Sequence, residues 1–304
     1  MLIAVMSLWG GVFVATKDVI DAVPPFTLAF MRVAIGFAVL LPIAWIRYRR
    51  LPAERARLPW KAMFAMGFIG VAFYYAVFNL GLVYTSASQG ALVQSSIPAM
   101  TALIAILWLG EPASRVRIGG ITLSLAGVLL VFSGSDVLDA TASSPVLGNM
   151  LVFVSVIAWG LYTALARRYA NTDAVVMTAG VIGIGALLLL PAAAIELQGH
   201  PLPTLSLKEG LEVLLLGAGA SGLAYLFYNV ALQDIDASQA GVFANLIPVV
   251  GVISGVLVLN EPLSSRAIIG GIIVMAGVWI TGSDRSRAGG AVPMTRQPTA
   301  DSGR

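Results

Sequence analysis

Runs of about 20 predominantly apolar residues recur along this chain. Phe26 to Ile46 carries a single charge, Arg32, and Ser238 to Leu259 carries none. A run of that length, coiled as a helix, spans a hydrocarbon core of about 30 Å. Lipid offers the backbone no hydrogen bonds, so a spanning segment must be a helix or a strand of a closed barrel, and these runs are continuous rather than alternating. The expectation is an all-α polytopic membrane protein. Composition agrees: 58% of the 304 residues are hydrophobic and only 11% charged, against roughly a quarter charged in soluble domains.

Apolar segments separated by Gly, Pro or charge clusters predict ten transmembrane helices. They run near Leu2 to Val19, Phe26 to Ile46, Trp60 to Leu82, Ala87 to Leu109, Arg115 to Phe132, Val146 to Arg167, Ala174 to Ile195, Glu209 to Leu232, Ala237 to Leu259 and Ser265 to Thr281. The first is read as a retained helix, because it lacks the basic stretch that opens a signal peptide. Residues 284–304 lack an apolar face and are expected to be a disordered cytoplasmic tail. With the N-terminus placed in the cytoplasm, 14 of the 18 Lys and Arg residues fall inside. By the positive-inside rule this predicts a bacterial-type cytoplasmic (inner) membrane protein with both termini cytoplasmic. The basic balance is then topology, and nucleic acid is not an expected partner; the lipid bilayer and a small-molecule solute are.

Sliding the chain against itself by 150 residues aligns Asn79–Val128 with Asn229–Val278 without a gap, with 17 identities in 50 positions. The match includes Ala87-Ser88-Gln89 with Ala237-Ser238-Gln239, Ile97-Pro98 with Ile247-Pro248, and Glu111-Pro112 with Glu261-Pro262. The same offset pairs Trp9-Gly10 with Trp159-Gly160. The chain therefore reads as a duplication: a first five-helix repeat over 1–133, a linker over 134–145 and a second repeat over 146–283. Five is odd, so the repeats enter the membrane in opposite orientation. Inverted repeats are a transporter architecture with the solute site near the midplane.

Three features together resemble the EamA-domain branch of the drug/metabolite transporter superfamily. They are the Trp9-Gly10 opening with Lys17 at its helix end, the Pro-Phe-x-Leu-Ala-Phe-x-Arg entry ending at Arg32, and the doubled Glu-Pro turns at 111 and 261. The resemblance covers residues 2 to 283. It implies ten helices in two inverted repeats, a central cavity, and usually export of amino acids, metabolites or drugs. The second repeat departs from the first at Arg32, where Ile182 stands.

Candidate solute contacts follow from polar and aromatic residues within spans. Trp9, Tyr75, Asn79, Trp159, Tyr162, Tyr225 and Asn229 offer rings with polar edges, and Tyr75 with Asn79 shares a helix face at i, i+4, as does Tyr225 with Asn229. Gln94 and Asn245 lie just before Pro98 and Pro248, prolines that should kink their helices as hinges or as static packing features. These amides either meet the solute or bond helix to helix. Arg32 meets either a solute carboxylate or carbonyls and loop acids of the protein itself. Lys17 is expected as an interfacial anchor or as the ion-pair partner of Asp18 or Asp21. The Glu-Pro turns are expected to be structural, each glutamate accepting nearby backbone N–H groups. Tyr48, Trp60, Tyr84 and Trp279 sit where an interfacial belt belongs. The faces carrying Gly119, Gly120 and Gly127, and Gly270, Gly271 and Gly277, read as close helix packing.

No mid-membrane carboxylate is expected, which disfavours a proton antiporter built on a buried acid, while coupling through Glu111 or Glu261 stays open. The chain has no cysteine and one histidine, His200, in a Gly-His-Pro-Leu-Pro loop. No metal site, cofactor or catalytic residue is expected. The leading expectation is an exporting carrier working by alternating access, with an importer as the nearest rival. A channel or an intramembrane enzyme is remote, and monomer and homodimer both stay open.

Overall fold

Because peptide groups in hydrocarbon can only bond one another, apolar runs of this length coil into helices. The computed structural model describes residues 1–52, 58–133, 143–169, 171–198, 204–234, 244 and 246–283. The helices are α1 (Leu2–Val19), α2 (Pro25–Tyr48), α3 (Trp60–Tyr84), α4 (Ala87–Trp108), α5 (Arg115–Ser133), α6 (Pro145–Arg168), α7 (Ala174–Gln198), α8 (Leu207–Ala231), α9 (Leu246–Leu259) and α10 (Ser265–Ser283). Among the described residues nine are long and apolar enough to cross a bilayer, and α9 is a shorter apolar helix of 14 residues. This is the all-α, ten-helix, multi-pass architecture expected. For helix nine, the expected stretch from Ala237 to Asn245 lies outside the described residues except Ala244.

Local sequence explains where helices begin. Pro25 and Pro145 open α2 and α6, where a missing N–H costs nothing. Ser86 caps α4 by accepting from Gln89 N at 3.3 Å. At α8, Ser206 Oγ accepts from Glu209 N at 3.3 Å while Glu209 accepts from Ser206 N at 2.6 Å, a reciprocal capping box. Both Glu-Pro turns follow a residue in the left-handed region, Gly110 at φ 68° and Asn260 at φ 54°. In each the glutamate N–H reaches back six residues, Glu111 to Ala105 O and Glu261 to Gly255 O, both at 3.2 Å. The two turns thus share one backbone shape.

Wide π-helical turns interrupt α3 over Phe68–Phe73 and α8 over Leu215–Leu223. The 150-residue offset carries Phe68 to Ala218 and Phe73 to Leu223, so the wide turns occupy equivalent places in the two repeats. Such turns leave carbonyls free for other partners.

The large helix contacts join one repeat to the other: α5 with α10, α2 with α7, α1 with α9, α6 with α4, and α3 with α6. Glycines let these backbones touch. A Cβ on Gly120 would lie 2.8 Å from Gly277 O, and one on Gly127 would lie 2.7 Å from Gly270 O. Under the offset Gly120 corresponds to Gly270 and Gly127 to Gly277, so the seam between α5 and α10 is self-complementary about a pseudo-twofold axis. Likewise Gly10 of α1 lies against Val250 of α9, while its counterpart Gly160 of α6 lies against Ile104 of α4. Large apolar side chains such as Phe64, Leu107, Leu129, Leu187 and Leu257 cover the outside, and Trp60 and Trp279 are exposed near helix ends, as a lipid-facing surface requires.

A Cβ at Gly277 would approach Ser124 N to 2.4 Å, whereas one at Gly119 would meet nothing within 4 Å. Gly277→Val should therefore destabilise the protein by about 1 to 3 kcal/mol and Gly119→Ala should be neutral. Thermal unfolding of the two variants in detergent checks this pair.

Candidate functional site

Rings from both repeats meet in one cluster. Trp159 of α6 stands at the centre, with Tyr74 at 5.1 Å, Tyr225 and Tyr162 at 5.3 Å and Trp9 at 5.6 Å between ring centroids. Tyr228 closes on Trp9 at 5.1 Å. Tyr75 packs edge-on against Tyr74 at 5.0 Å. The cluster is formed by α1 and α3 of the first repeat and α6 and α8 of the second. Trp9, Tyr228 and Asn229 keep partial exposure, whereas Tyr75, Trp159, Tyr162 and Tyr225 are buried.

The wide turns supply the cluster with hydrogen-bond acceptors. Tyr225 donates its hydroxyl to Gly70 O at 3.0 Å, and Trp9 donates Nε1–H to Ala220 O at 3.1 Å. Gly70 and Ala220 are equivalent under the offset, each inside a π-helical turn. An ordinary α-helix spends these carbonyls on its own ladder, so the distortion satisfies buried polar ring atoms that would otherwise be orphaned. Nothing in a hydropathy pattern marks such a turn.

The two asparagines diverge. Asn229 donates to Tyr162 Oη at 3.1 Å and to Thr178 Oγ1 at 3.0 Å, at the edge of the cluster. Asn79 instead donates to Pro25 O at 3.1 Å, and its Oδ1 is buried with no partner. The structure therefore places Asn79 at the start of α2, away from the rings that its helix face shares with Tyr75. Gln94 accepts from Tyr74 Oη at 3.3 Å and donates to Ser155 Oγ at 3.0 Å. Asn245 lies outside the described residues.

Arg32 is 1% exposed. Its guanidinium lies 4.4 Å from the Tyr75 ring centroid, Nε donates to Ser221 Oγ at 3.0 Å, and Nη1 lies 3.4 Å from Thr16 Oγ1. Its ring contact is a cation–π interaction. Among the described residues no carboxylate forms a salt bridge with it. Under the offset Arg32 and Ser221 correspond to Ile182 and Val71, both buried in one apolar cluster. A polar pair thus breaks the pseudo-twofold symmetry next to the rings. The departure of Arg32 is visible in sequence; its partners Ser221 and Thr16 are not, because both are ordinary small residues of glycine-rich helices.

Helix α4 consists of two helical pieces, Ala87–Gln94 and Ile97–Leu109, joined at Ser95 and Ser96. Pro98 sits at the start of the second piece, which cannot use a proline N–H, so the break falls just before it. Pro248 is buried in the described part of α9, and the expected stretch of that helix before Ala244 lies outside the described residues. Lys17 does not pair with Asp18: Nζ donates to Leu82 O at 2.8 Å and Thr85 O at 3.0 Å, and Asp18 pairs with Lys208. Of the two Glu-Pro glutamates, Glu261 accepts backbone N–H groups, as expected, from Ala87 and Ser88, whereas Glu111 pairs with Arg117 and Arg167 instead. Among the described residues no group of three His, Cys, Asp or Glu could hold a metal ion.

The sequence matches the EamA-like transporter family over residues 1–133 and 146–283. The chain belongs to the EamA-like transporter family. It is 29% identical over 282 residues to an uncharacterized transporter of Archaeoglobus fulgidus, covering 92% of this chain and 96% of that protein. It is 33% identical over 273 residues to the uncharacterized protein PA1977 of Pseudomonas aeruginosa, covering 86% of each. The uncharacterized transporter YyaM of Bacillus subtilis is 27% identical over 284 residues, covering 91% of each. A crystal structure with 23% sequence identity superposes with a TM-score of 0.64 over 91% of this chain and 93% of that one, which shows the shared fold. This EamA protein is accordingly a multi-pass membrane transporter.

The Tyr162–Asn229 contact joins α6 to α8 inside the second repeat, so a double-mutant cycle isolates it. Tyr162→Phe and Asn229→Leu should each destabilise the protein, with a coupling of about 1 kcal/mol. Unfolding of the single and double variants measures that coupling.

Proposed function

We propose that this transporter is a carrier of the cytoplasmic membrane. It exports small organic solutes, such as amino acids, metabolites or amphipathic drugs, by alternating access around the aromatic cluster. The observation that carries this reading is the convergence of Trp9, Tyr74 and Tyr75 of one repeat with Trp159, Tyr162 and Tyr225 of the other at a single locus. A locus built by both halves is remade whenever the halves rock against each other, which is what alternating access demands of a solute site. Trp9, Tyr75, Trp159, Tyr162, Tyr225 and Asn229 contact the solute, Gln94 bounds the site through Tyr74, and Arg32 sets a positive potential beneath Tyr75. Asn79 contributes as the halves move, Asn245 is a solute contact by its sequence position before Pro248, and Pro98 and Pro248 serve as hinges. The distribution of arginines supports an inner-membrane location with both termini in the cytoplasm.

Counterflow in proteoliposomes preloaded with a mixed pool of amino acids and metabolites, with and without a pH gradient, tests this reading. Saturable exchange of one solute class is expected. Tyr75→Ala and Tyr225→Ala should lower it by about tenfold, the equivalent of roughly 1.4 kcal/mol, at unchanged membrane expression. Flux unchanged in both variants would remove the rings from the solute path. Arg32→Met should fold, because an apolar residue replaces a buried cation without a carboxylate partner among the described residues, and should selectively lose anionic and zwitterionic solutes over cationic ones.

A further inference from the structure

The two Glu-Pro turns share one backbone shape, yet their carboxylates do opposite things. Glu261, between α9 and α10, is buried and accepts from Ala87 N and Ser88 N, both at 2.7 Å. Those are first-turn amides of α4 in the other repeat, so a carboxylate satisfies orphan donors and meets the positive end of the helix dipole. Lys17 of α1 acts on the other side of the same hairpin, donating to Leu82 O and Thr85 O where α3 ends. A cation there meets the negative end of that helix dipole. One acid from the turn between α9 and α10 and one base from α1 therefore grip the turn between α3 and α4. Thr85, Ser86, Ala87 and Ser88 are fully buried, and Thr85 donates to Asn149 Oδ1 at 2.7 Å. The α3–α4 turn is thus buried in protein.

The equivalent residues in the other repeat are Glu111 and Arg167, and they hold each other. Glu111 lies 2.6 Å from Arg117 and 3.3 Å from Arg167, and all three side chains are partly exposed. Two differences in sequence separate the turns. Arg117 corresponds to Ala267, and the second repeat's nearby Arg266 donates to Ser133 O at 3.3 Å instead, so among the described residues only Glu111 of the two has arginine partners. Gly255 corresponds to Ala105, and a Cβ at Gly255 would lie 2.2 Å from Ser88 Oγ and 2.7 Å from Glu261 Oε2. Glycine leaves the space through which Glu261 reaches α4.

We infer that Glu261 latches the second repeat to the α3–α4 turn of the first, with Lys17 bracing the same turn from within the first repeat, and that this latch holds the carrier sealed at that turn and must release for the solute site to open toward that side. Both are positioning residues: they act on the hairpin and not on the solute. The latch belongs to one end because Gly255 admits the Glu261 carboxylate, while Arg117 captures the Glu111 carboxylate. Glu196 provides a comparison at the same end. It accepts from Phe26 N at 3.2 Å and Thr27 N at 2.6 Å, capping α2 in the same chemical manner. Its repeat counterpart is Ile46, so it is a fixed brace with no alternating partner.

The latch rests on the carrier reading, and a measurement of accessibility separates the two. The chain has no cysteine, so Ser88→Cys introduces a single reporter thiol in a position that is fully buried. In lipid nanodiscs a water-soluble maleimide reaches both faces, and the thiol should react slowly. Adding Glu261→Gln should accelerate alkylation by about tenfold, the size expected from losing charge-assisted hydrogen bonds. Gly255→Ala, which leaves every charge in place, should accelerate it in the same direction, and so should Lys17→Met. Adding Glu196→Gln should leave the rate unchanged. A rate unmoved by both Glu261→Gln and Gly255→Ala overturns the latch. An equal rise with Glu196→Gln also overturns it, because it reports general loosening of that end. Alkylation needs no solute, so a latch that responds in a protein without counterflow would leave this inference standing and remove the carrier reading.

Discussion

The seam between α5 and α10 holds the two repeats about their pseudo-twofold axis, and it exists because glycine permits backbone to lie against backbone. In lipid there is no hydrophobic gain from pressing one apolar helix onto another, so close van der Waals contact must supply the association. Gly120 against Gly277 and Gly127 against Gly270 supply it twice over, once from each side of the axis. With that axis in place, Gly10 against α9 and Gly160 against α4 are one contact made twice. Each repeat thereby completes its packing with helices of the other. The large interfaces are cross-repeat ones, so neither half is a self-sufficient body, and a movement of one half changes the aromatic cluster built by both.

Symmetry organises the locus and its violations give it chemistry. The wide turns in α3 and α8 are equivalent, and each presents a carbonyl to a ring from elsewhere, Gly70 to Tyr225 and Ala220 to Trp9. Those bonds keep polar edges of large rings compatible with an apolar interior. Arg32 with Ser221 has no counterpart of like character, since Ile182 and Val71 stand there. A cation in that environment without a carboxylate partner among the described residues is costly, and three things offset the cost: the Tyr75 face, two hydroxyls, and the polar rings nearby. The asymmetry gives the pseudo-symmetric aromatic cluster a direction, because Arg32 and Ser221 stand beside Tyr75 where the equivalent positions hold Ile182 and Val71.

Much of this was legible in the chain itself. Length and polarity of the runs are one-dimensional properties, so the helices and their order followed directly, and the 150-residue offset exposed the duplication through residues such as Glu111, Pro112, Glu261 and Pro262. Trp9, Trp159, Tyr162 and Tyr225 could be named because a ring with a polar edge in mid-span stands out against Leu and Val. What could not be read is partnership. Asn79 and Asn229 are equivalent in sequence, yet one meets Pro25 O and the other meets Tyr162, since the asymmetry lies in what faces them. Lys17 sits beside Asp18, and local reading pairs them, but the carbonyls at the end of α3 come from 65 residues away. Glu261 likewise reaches across 174 residues to Ala87. Charges at helix ends choose partners by tertiary geometry, which no local pattern encodes.

That long reach bears on how a carrier of this fold controls its ends. Sealing an end with apolar packing alone would make opening as costly as exposing the whole packed face to water. Sealing it with a few charge-assisted hydrogen bonds is different, because water can replace each bond as it breaks, leaving a net difference of about 1.5 to 3 kcal/mol per bond. A difference of that size holds one conformation dominant while keeping the other within reach of a solute's differential binding energy. The hairpin between α3 and α4 is gripped in this way by Lys17 and Glu261, whereas Arg167 and Glu111 spend the same charges on each other where water already reaches them. Two turns of identical backbone shape can therefore hold unequal strength, and the inequality traces to the absence of one methyl group at Gly255 and the presence of one guanidinium at Arg117.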